Sequence, residues 1–383
     1  MNIPARRSPA RCIPWVAGGI TLVWLSISHT GDFHVYWIAG RALASGWDAV
    51  YRISGLTPFK YHPFFALTFA PFGWLAETPA RVVWAVLNAA IVVDTQRRWL
   101  RAWKLDEIAI GLAFICIGHA LFWQYQFGNV TFVMLWLWTV ALTSPRVWIE
   151  AGCYALLIAL KPFWIALVVP WILLRRWQLI VRVVAMVGAI SLVPIVLGPR
   201  SLVVAYQRWV ATFADPLHAH NYPKTDNQSW FGFLYRHGDL LAGGVTLWWV
   251  IGCSAVGVLW LWFWRRIWRD PLPRAEWWLV EASLIPFILW TSPLSWIHHQ
   301  ILLWPLLALA WKLGRHEPVA RVVFVVALIV LTILSQSIIG RSATLVILRW
   351  GIPLIAFPLL TWWVGARLAP GGSLLEDQEQ RIA

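Results

Sequence analysis

The sequence predicts an all-α protein, a polytopic membrane helix bundle of about twelve transmembrane helices with a large first outer loop. Three observations predict it. Hydrophobic residues make up 60% of the 383, more apolar surface than a soluble core of that size can hide. Charged residues make up only 13%, about half the share usual in soluble domains. The 32 Trp suit a chain with many membrane–water interfaces, where the indole keeps its N–H wet.

Taken in order, the apolar run 13–28 is the first span. It follows Arg6, Arg7 and Arg11 and has no small-residue cleavage site, so it reads as an uncleaved anchor rather than a signal peptide. A polar outer loop, 29–62, comes next. The run 63–94 carries Pro71 and Pro79 and divides into a half-crossing helix, 63–77, and a full crossing, 79–94. Further spans fall near 108–123, 129–143, 147–160, 162–174, 178–197, 244–264, 276–291, 299–312, 319–335 and 343–366, with a second long outer loop at 198–243. Residues 1–370 form one transmembrane domain, and the tail 371–383 is expected to be disordered and cytoplasmic.

Most of the 31 Lys and Arg cluster in the short connections of one side, around 95–107, 175–182, 265–274 and 312–321, and at the two ends. This bias puts both termini in the cytoplasm of a bacterial inner-membrane protein. The same clustering explains the net charge of +14 without nucleic acid, which is not an expected partner. Cys12, Cys116, Cys153 and Cys253 are scattered, with neither a disulfide framework nor a zinc spacing.

With that topology, the polar residues beside the spans collect on the outer face. Asp32 and His34 follow the first span, and Tyr61 and His62 close its loop. Gln124, Gln126 and Asn129 sit in the connection after 108–123, and Lys161 lies at the turn between two short spans. Asn227, Gln228 and Ser229 lie in the loop 198–243. Ser292, Ser295, His298 and His299 lie between 276–291 and 299–312. Each has a bland reading: Asp32 as a helix cap, Lys161 as a snorkelling side chain, the His pair as interfacial residues. Their convergence favours a site, because ionisable groups at membrane depth are costly and usually functional. HExxH, CxxC, Walker-type and Ser-elbow motifs are absent, so zincin, NTPase and serine-hydrolase readings lose their usual support.

The segment "GDFHVYWIAGRALASGWDAVY" followed by "KYHPFFALTFAPFGWL" resembles the large outer loop of glycosyltransferase family 87. "QYQFGNVT", "ALKPFWIALVVPWILLRR", "NQSWFGFLYR" and "SPLSWIHHQILLWPL" follow in the family's order. The resemblance spans roughly residues 15–315. It implies a fold of the GT-C type and transfer of a hexosyl group, mannosyl above all, from a polyprenyl-phosphate donor to an acceptor hydroxyl on the periplasmic face, with inversion. The acidic residue after the first span, the catalytic base of the family, corresponds to Asp32, and the His pair before a late span to His298 and His299. Where the family often shows Gly-Gln-x-Asn, this chain has Gly128-Asn129-Val130-Thr131, so the resemblance does not fix the sugar.

Sugar transfer from phosphate needs a base for the acceptor proton, donors for the leaving phosphate and a groove for the lipid. Asp32 is the candidate base; Lys161, His298 and His299 are the candidate phosphate contacts. His34, Tyr61, His62, Gln126, Asn129, Asn227, Gln228 and Ser295 are the candidate substrate contacts. The expected partners are the polyprenyl-phosphate sugar, a lipid or glycan acceptor and membrane lipid. The reading requires no cofactor, though Asp32 and His34 together offer donors for a weakly bound divalent metal. The rival is a secondary transporter or lipid flippase, which would place its polar groups at the bilayer midplane and show a repeat. A non-catalytic role in envelope assembly is the third reading.

Overall fold

The computed structural model describes residues 31–51, 59–213, 221–238, 242–269 and 276–367. The predicted first span, 13–28, and the tail 371–383 lie outside the described residues. Among the described residues every regular element is helical, and one isolated antiparallel bridge joins Asn227 to Trp296. Apolar periodicity and short polar breaks dictate this: Thr131–Thr143 and Val147–Leu160 are helices within two residues of the predicted spans. Trp177–Leu192 continues as a 3-10 turn, Val193–Leu197, and Gly244–Arg269 runs longer than expected. By length and composition, Trp177–Val196 and Gly244–Trp262 can each cross a membrane. Their exposed faces are apolar, with Val181, Val184 and Val258 open to the surroundings, as lipid-facing helices require. Three bent helix pairs would raise the number of crossings to five, and the remaining apolar helices are shorter.

Several expected elements are interrupted. The run 63–94 forms Pro63–Gly73 and Glu77–Ala102, turned 116° from each other. The expected span 108–123 is two helices, Glu107–Cys116 and Gly118–Phe127, bent by 72°. The break frees backbone carbonyls, and Thr332 Oγ1 donates to those of Cys116 (2.6 Å) and Ile115 (3.1 Å). Thr332 belongs to a π-helical turn, Ile329–Ile333, that continues Pro318–Leu328, so a side chain of one irregular element satisfies the freed carbonyls of the other. The last span is likewise broken, into Arg341–Arg349 and a second part ending in Ala356–Arg367. Within the expected first loop, 29–62, the described residues include the helices Asp32–Ala42 and Trp47–Tyr51, the former packed along Pro63–Gly73. The second loop contains Pro199–Phe213 and Trp230–Arg236.

The tryptophans depart from the interfacial expectation. Trp99, Trp138, Trp164, Trp171, Trp264, Trp278, Trp304 and Trp363 are fully buried. Trp103 stacks on Trp278 with centroids 4.4 Å apart, and Trp99 meets Trp304 edge-on. Burial is tolerable where the indole N–H finds a partner inside: Trp99 donates to Thr139 Oγ1 (3.0 Å) and Trp304 to the Ile110 carbonyl (2.9 Å).

Candidate active site

Asp32 opens the helix Asp32–Ala42, with Gly31 before it and no side-chain cap. A carboxylate in the first turn is favoured by the helix dipole. The turn abuts the connection after Gly118–Phe127. A Cβ on Gly31 would fall 2.3 Å from Phe127 Cα, and one on Gly128 would fall 2.8 Å from Phe33 Cβ, at a left-handed φ of +64°. Both positions therefore need glycine. Trp84 stacks on Phe33 and donates its Nε1 hydrogen to the Gly128 carbonyl (2.8 Å). This contact sets Asn129 against Asp32, its Nδ2 donating to Asp32 Oδ2 at 2.5 Å. Asn129 is itself fixed: Oδ1 accepts from Thr131 Oγ1 (2.9 Å), and its carbonyl accepts from Gln124 Nε2.

Asp32, Phe127 and Asn129 line a cavity of about 490 Å³, large enough for sugar rings. Lys161 enters from the extended residue between Val147–Leu160 and the 3-10 turn Pro162–Leu167, its Nζ 4.8 Å from the centre of the Tyr61 ring. The Tyr61 hydroxyl shares a 2.7 Å hydrogen bond with that of Tyr36. His298 and His299 lie on the 3-10 turn Ile297–Leu303, where both are buried. His299 Nδ1 accepts from the Trp296 backbone N–H (3.3 Å), and the Nε2 atoms of both rings have no partner among the described residues. Such orphaned polar atoms at a cavity wall are satisfied by a ligand or by water.

Burial raises the Asp32 carboxyl above its ordinary range, against the pull of the Asn129 hydrogen bond and of the Lys161 and Lys60 charges. Burial likewise lowers the Lys161 ammonium, against the attraction of Asp32. Burial, helped by Lys161, lowers His298 to about 3, so its imidazole faces the cavity neutral at pH 7.

Every polar connection singled out in the sequence reaches this cavity, though not always through the expected side chain. Asp32, Tyr61, Asn129, Lys161, His298 and His299 line it. His34 turns instead to Glu77 (2.6 Å), which also binds Arg81. His62 caps Pro63–Gly73 and bonds Tyr206 (2.7 Å). Gln126, Asn227, Gln228 and Ser295 are not on the cavity wall; Asn227 and Gln228 bond backbone carbonyls, and Ser295 lies beside the Asn227–Trp296 bridge. Among the described residues no three His, Cys, Asp or Glu side chains form a metal-binding group. The wall also holds Lys60, Lys224 and Asp226, which the sequence reading passed over. Lys60 stands in the "KYHP" segment and Asp226 directly before Asn227, so adjacency to the motifs was the available signal.

An apolar helical chain whose connections gather a carboxylate, a lysine, two imidazoles and an amide around one cavity has the make-up of a membrane glycosyltransferase. A sequence model of glycosyltransferase family 87 matches residues 59–293, and the chain belongs to that family. Over 354 residues it is 26% identical to the polyprenol-phosphate-mannose-dependent alpha-(1-2)-phosphatidylinositol mannoside mannosyltransferase of Mycobacterium tuberculosis, covering 84% of this chain and 81% of the relative. A protein of the same description from Mycolicibacterium smegmatis is 27% identical over 298 residues, 71% of this chain and 66% of its own length. No solved structure matches. The protein is thus a glycosyltransferase, and the transporter reading falls away.

Proposed function

We propose that the protein moves a mannosyl group from polyprenyl-phosphate mannose to a hydroxyl of a glycolipid or glycan acceptor, on the periplasmic face of the inner membrane. The observation that carries this reading is Asp32, held by Asn129 in a cavity that also contains Lys161, His298 and His299. The names of both relatives support the donor. Asp32 takes the proton of the acceptor hydroxyl as its oxygen bonds to the anomeric carbon. The bond from that carbon to the phosphate oxygen breaks, and polyprenyl phosphate leaves with the electron pair. Lys161 and imidazole N–H groups of His298 and His299 receive the growing negative charge. A phosphate leaving group needs no proton, so one base suffices, and a single displacement inverts the anomeric carbon. The raised Asp32 carboxyl makes it a stronger base than an exposed aspartate, and an arriving phosphate restores the charge that burial takes from Lys161.

The test uses membranes containing the protein, labelled polyprenyl-phosphate mannose and a fractionated lipid extract as acceptor. The expected result is label in a glycolipid fraction, absent from membranes lacking the protein. Parent membranes that transfer sugar from a nucleotide sugar, and not from the lipid-linked donor, would overturn the reading.

A further inference from the structure

The motif Asn227-Gln228-Ser229 spends its side chains on scaffolding. Asn227 Nδ2 donates to the carbonyls of Tyr222 (3.2 Å) and Pro293 (3.0 Å), and its Oδ1 accepts from the Ser295 backbone N–H (2.9 Å). The Gln228 backbone N–H bonds the Ser295 carbonyl at 2.6 Å, its Nε2 bonds the carbonyls of Thr225 (2.5 Å) and Leu348 (3.2 Å), and Ser229 Oγ donates to the Pro293 carbonyl. From the next helix, Arg236 Nη1 donates to the carbonyls of Lys224 and Asn227, both at 2.9 Å. Together these bonds fix the backbone on either side of residue 226, and those to Pro293 and Ser295 tie it to the connection 292–299 that carries the His pair. The side chain so framed is a carboxylate on the cavity wall.

We propose that Asp226 is the residue that reads the donor sugar, accepting hydrogen bonds from a vicinal pair of its ring hydroxyls. This rests on the donor reading above. A carboxylate offers two oxygens and about four lone-pair sites, a match for two neighbouring hydroxyls. The bonds are charge-assisted and strong where water is excluded. The loop is bonded to the connection that carries His298 and His299, and Asp226, both imidazoles and Asp32 line one cavity, so a sugar whose phosphate meets those imidazoles shares that space with Asp226. Rigid support of this kind is what discrimination between epimers requires, because a loosely held acceptor adapts to either. Burial raises the Asp226 carboxyl, with a hydrogen bond from its own backbone N–H and the charges of Lys224 and Arg236 opposing, so hydroxyl donors stabilise it further as an anion.

The experiment compares the parent with Asp226→Asn and Asp226→Ala in purified full-length protein, using polyprenyl-phosphate mannose and its ring-deoxy analogues. The expected result is a donor KM raised roughly tenfold to hundredfold in Asp226→Ala, with acceptor KM and the pH profile unchanged. At least one deoxy donor should be poor for the parent yet suffer no extra penalty in the variant. An unchanged donor KM, or a rise confined to the acceptor KM, would overturn the assignment. Absence of any turnover by the parent on the lipid-linked donor would instead strike the donor reading, so the two failures are separable. Thermal unfolding in detergent checks that both variants fold; should Asp226→Ala fail to, Asp226→Asn and the deoxy series decide.

Discussion

Glu281 and Asp32 are both carboxylates removed from bulk water, and their surroundings differ. Glu281, fully buried on the helix Trp277–Thr291, accepts from Trp138 Nε1 (2.9 Å), Trp171 Nε1 (2.9 Å) and the Tyr154 hydroxyl (2.7 and 2.8 Å to its two oxygens), with Arg176 at 3.9 Å. Asp32 accepts from Asn129 and opens on a cavity. The first is saturated by aromatic donors from three other helical segments and has nothing left to offer a substrate. The second is held on one oxygen, keeping the other for chemistry. Burial alone therefore does not mark a reactive acid; the number of donors already committed to it does.

The largest effect should separate the two. Asp32→Asn keeps size and most hydrogen bonding but removes the basic oxygen, so transfer should fall about 10²–10⁴-fold, with insertion and unfolding temperature close to the parent's. Glu281→Gln should do the reverse, because it sets an amide NH2 against the Trp138, Tyr154 and Trp171 donors, while Arg176 keeps its ion pair with Glu150. Lost hydrogen bonds to a buried charged group cost about 1.5–3 kcal/mol, read as a lower unfolding temperature, while turnover per folded molecule stays within a few-fold. An Asp32→Asn protein with parental turnover would end the comparison as drawn here.

Smaller effects should map the cavity wall. Lys161→Met, His298→Ala and His299→Ala should each lose roughly tenfold to hundredfold at limiting donor, the scale of one hydrogen bond to a charged group. Equal losses at limiting acceptor would move the phosphate elsewhere. The smallest change concerns pH. With Asp32 raised by burial, activity should be lost as pH falls through a value above the ordinary carboxylate range. The Asn129 hydrogen bond lowers that value, so Asn129→Ala should shift the acid limb further up. A limb that stays in place would mean that another group governs it.

Helix content was legible because hydropathy is local: Val147–Leu160 and Thr131–Thr143 follow from their own residues. The interruption at Ile117 was not, since the hydroxyl that satisfies it comes from Thr332, more than two hundred positions away. The same distinction holds in the site. Polar connections between spans were visible as candidates, but whether Asn227 faces a substrate or a carbonyl depends on Pro293 and Ser295, which only the fold brings near. Tryptophan counts were misleading for a related reason: an indole suits an interface or an interior partner such as Glu281 equally well, and composition does not say which.

The glycine contact between residue 31 and residue 127 has a consequence for how such a catalyst can vary. Asp32 and its amide are spaced by close approach of main chain to main chain, Gly31 against the Phe127 Cα and carbonyl. An insertion of one residue on either strand of this contact would carry the base off by the length of a peptide unit, about 3.8 Å. Changes of sugar or acceptor must therefore be written into the other walls, around 221–226 and 292–299. An engineer seeking a new specificity should randomise those segments and leave the glycine contact untouched.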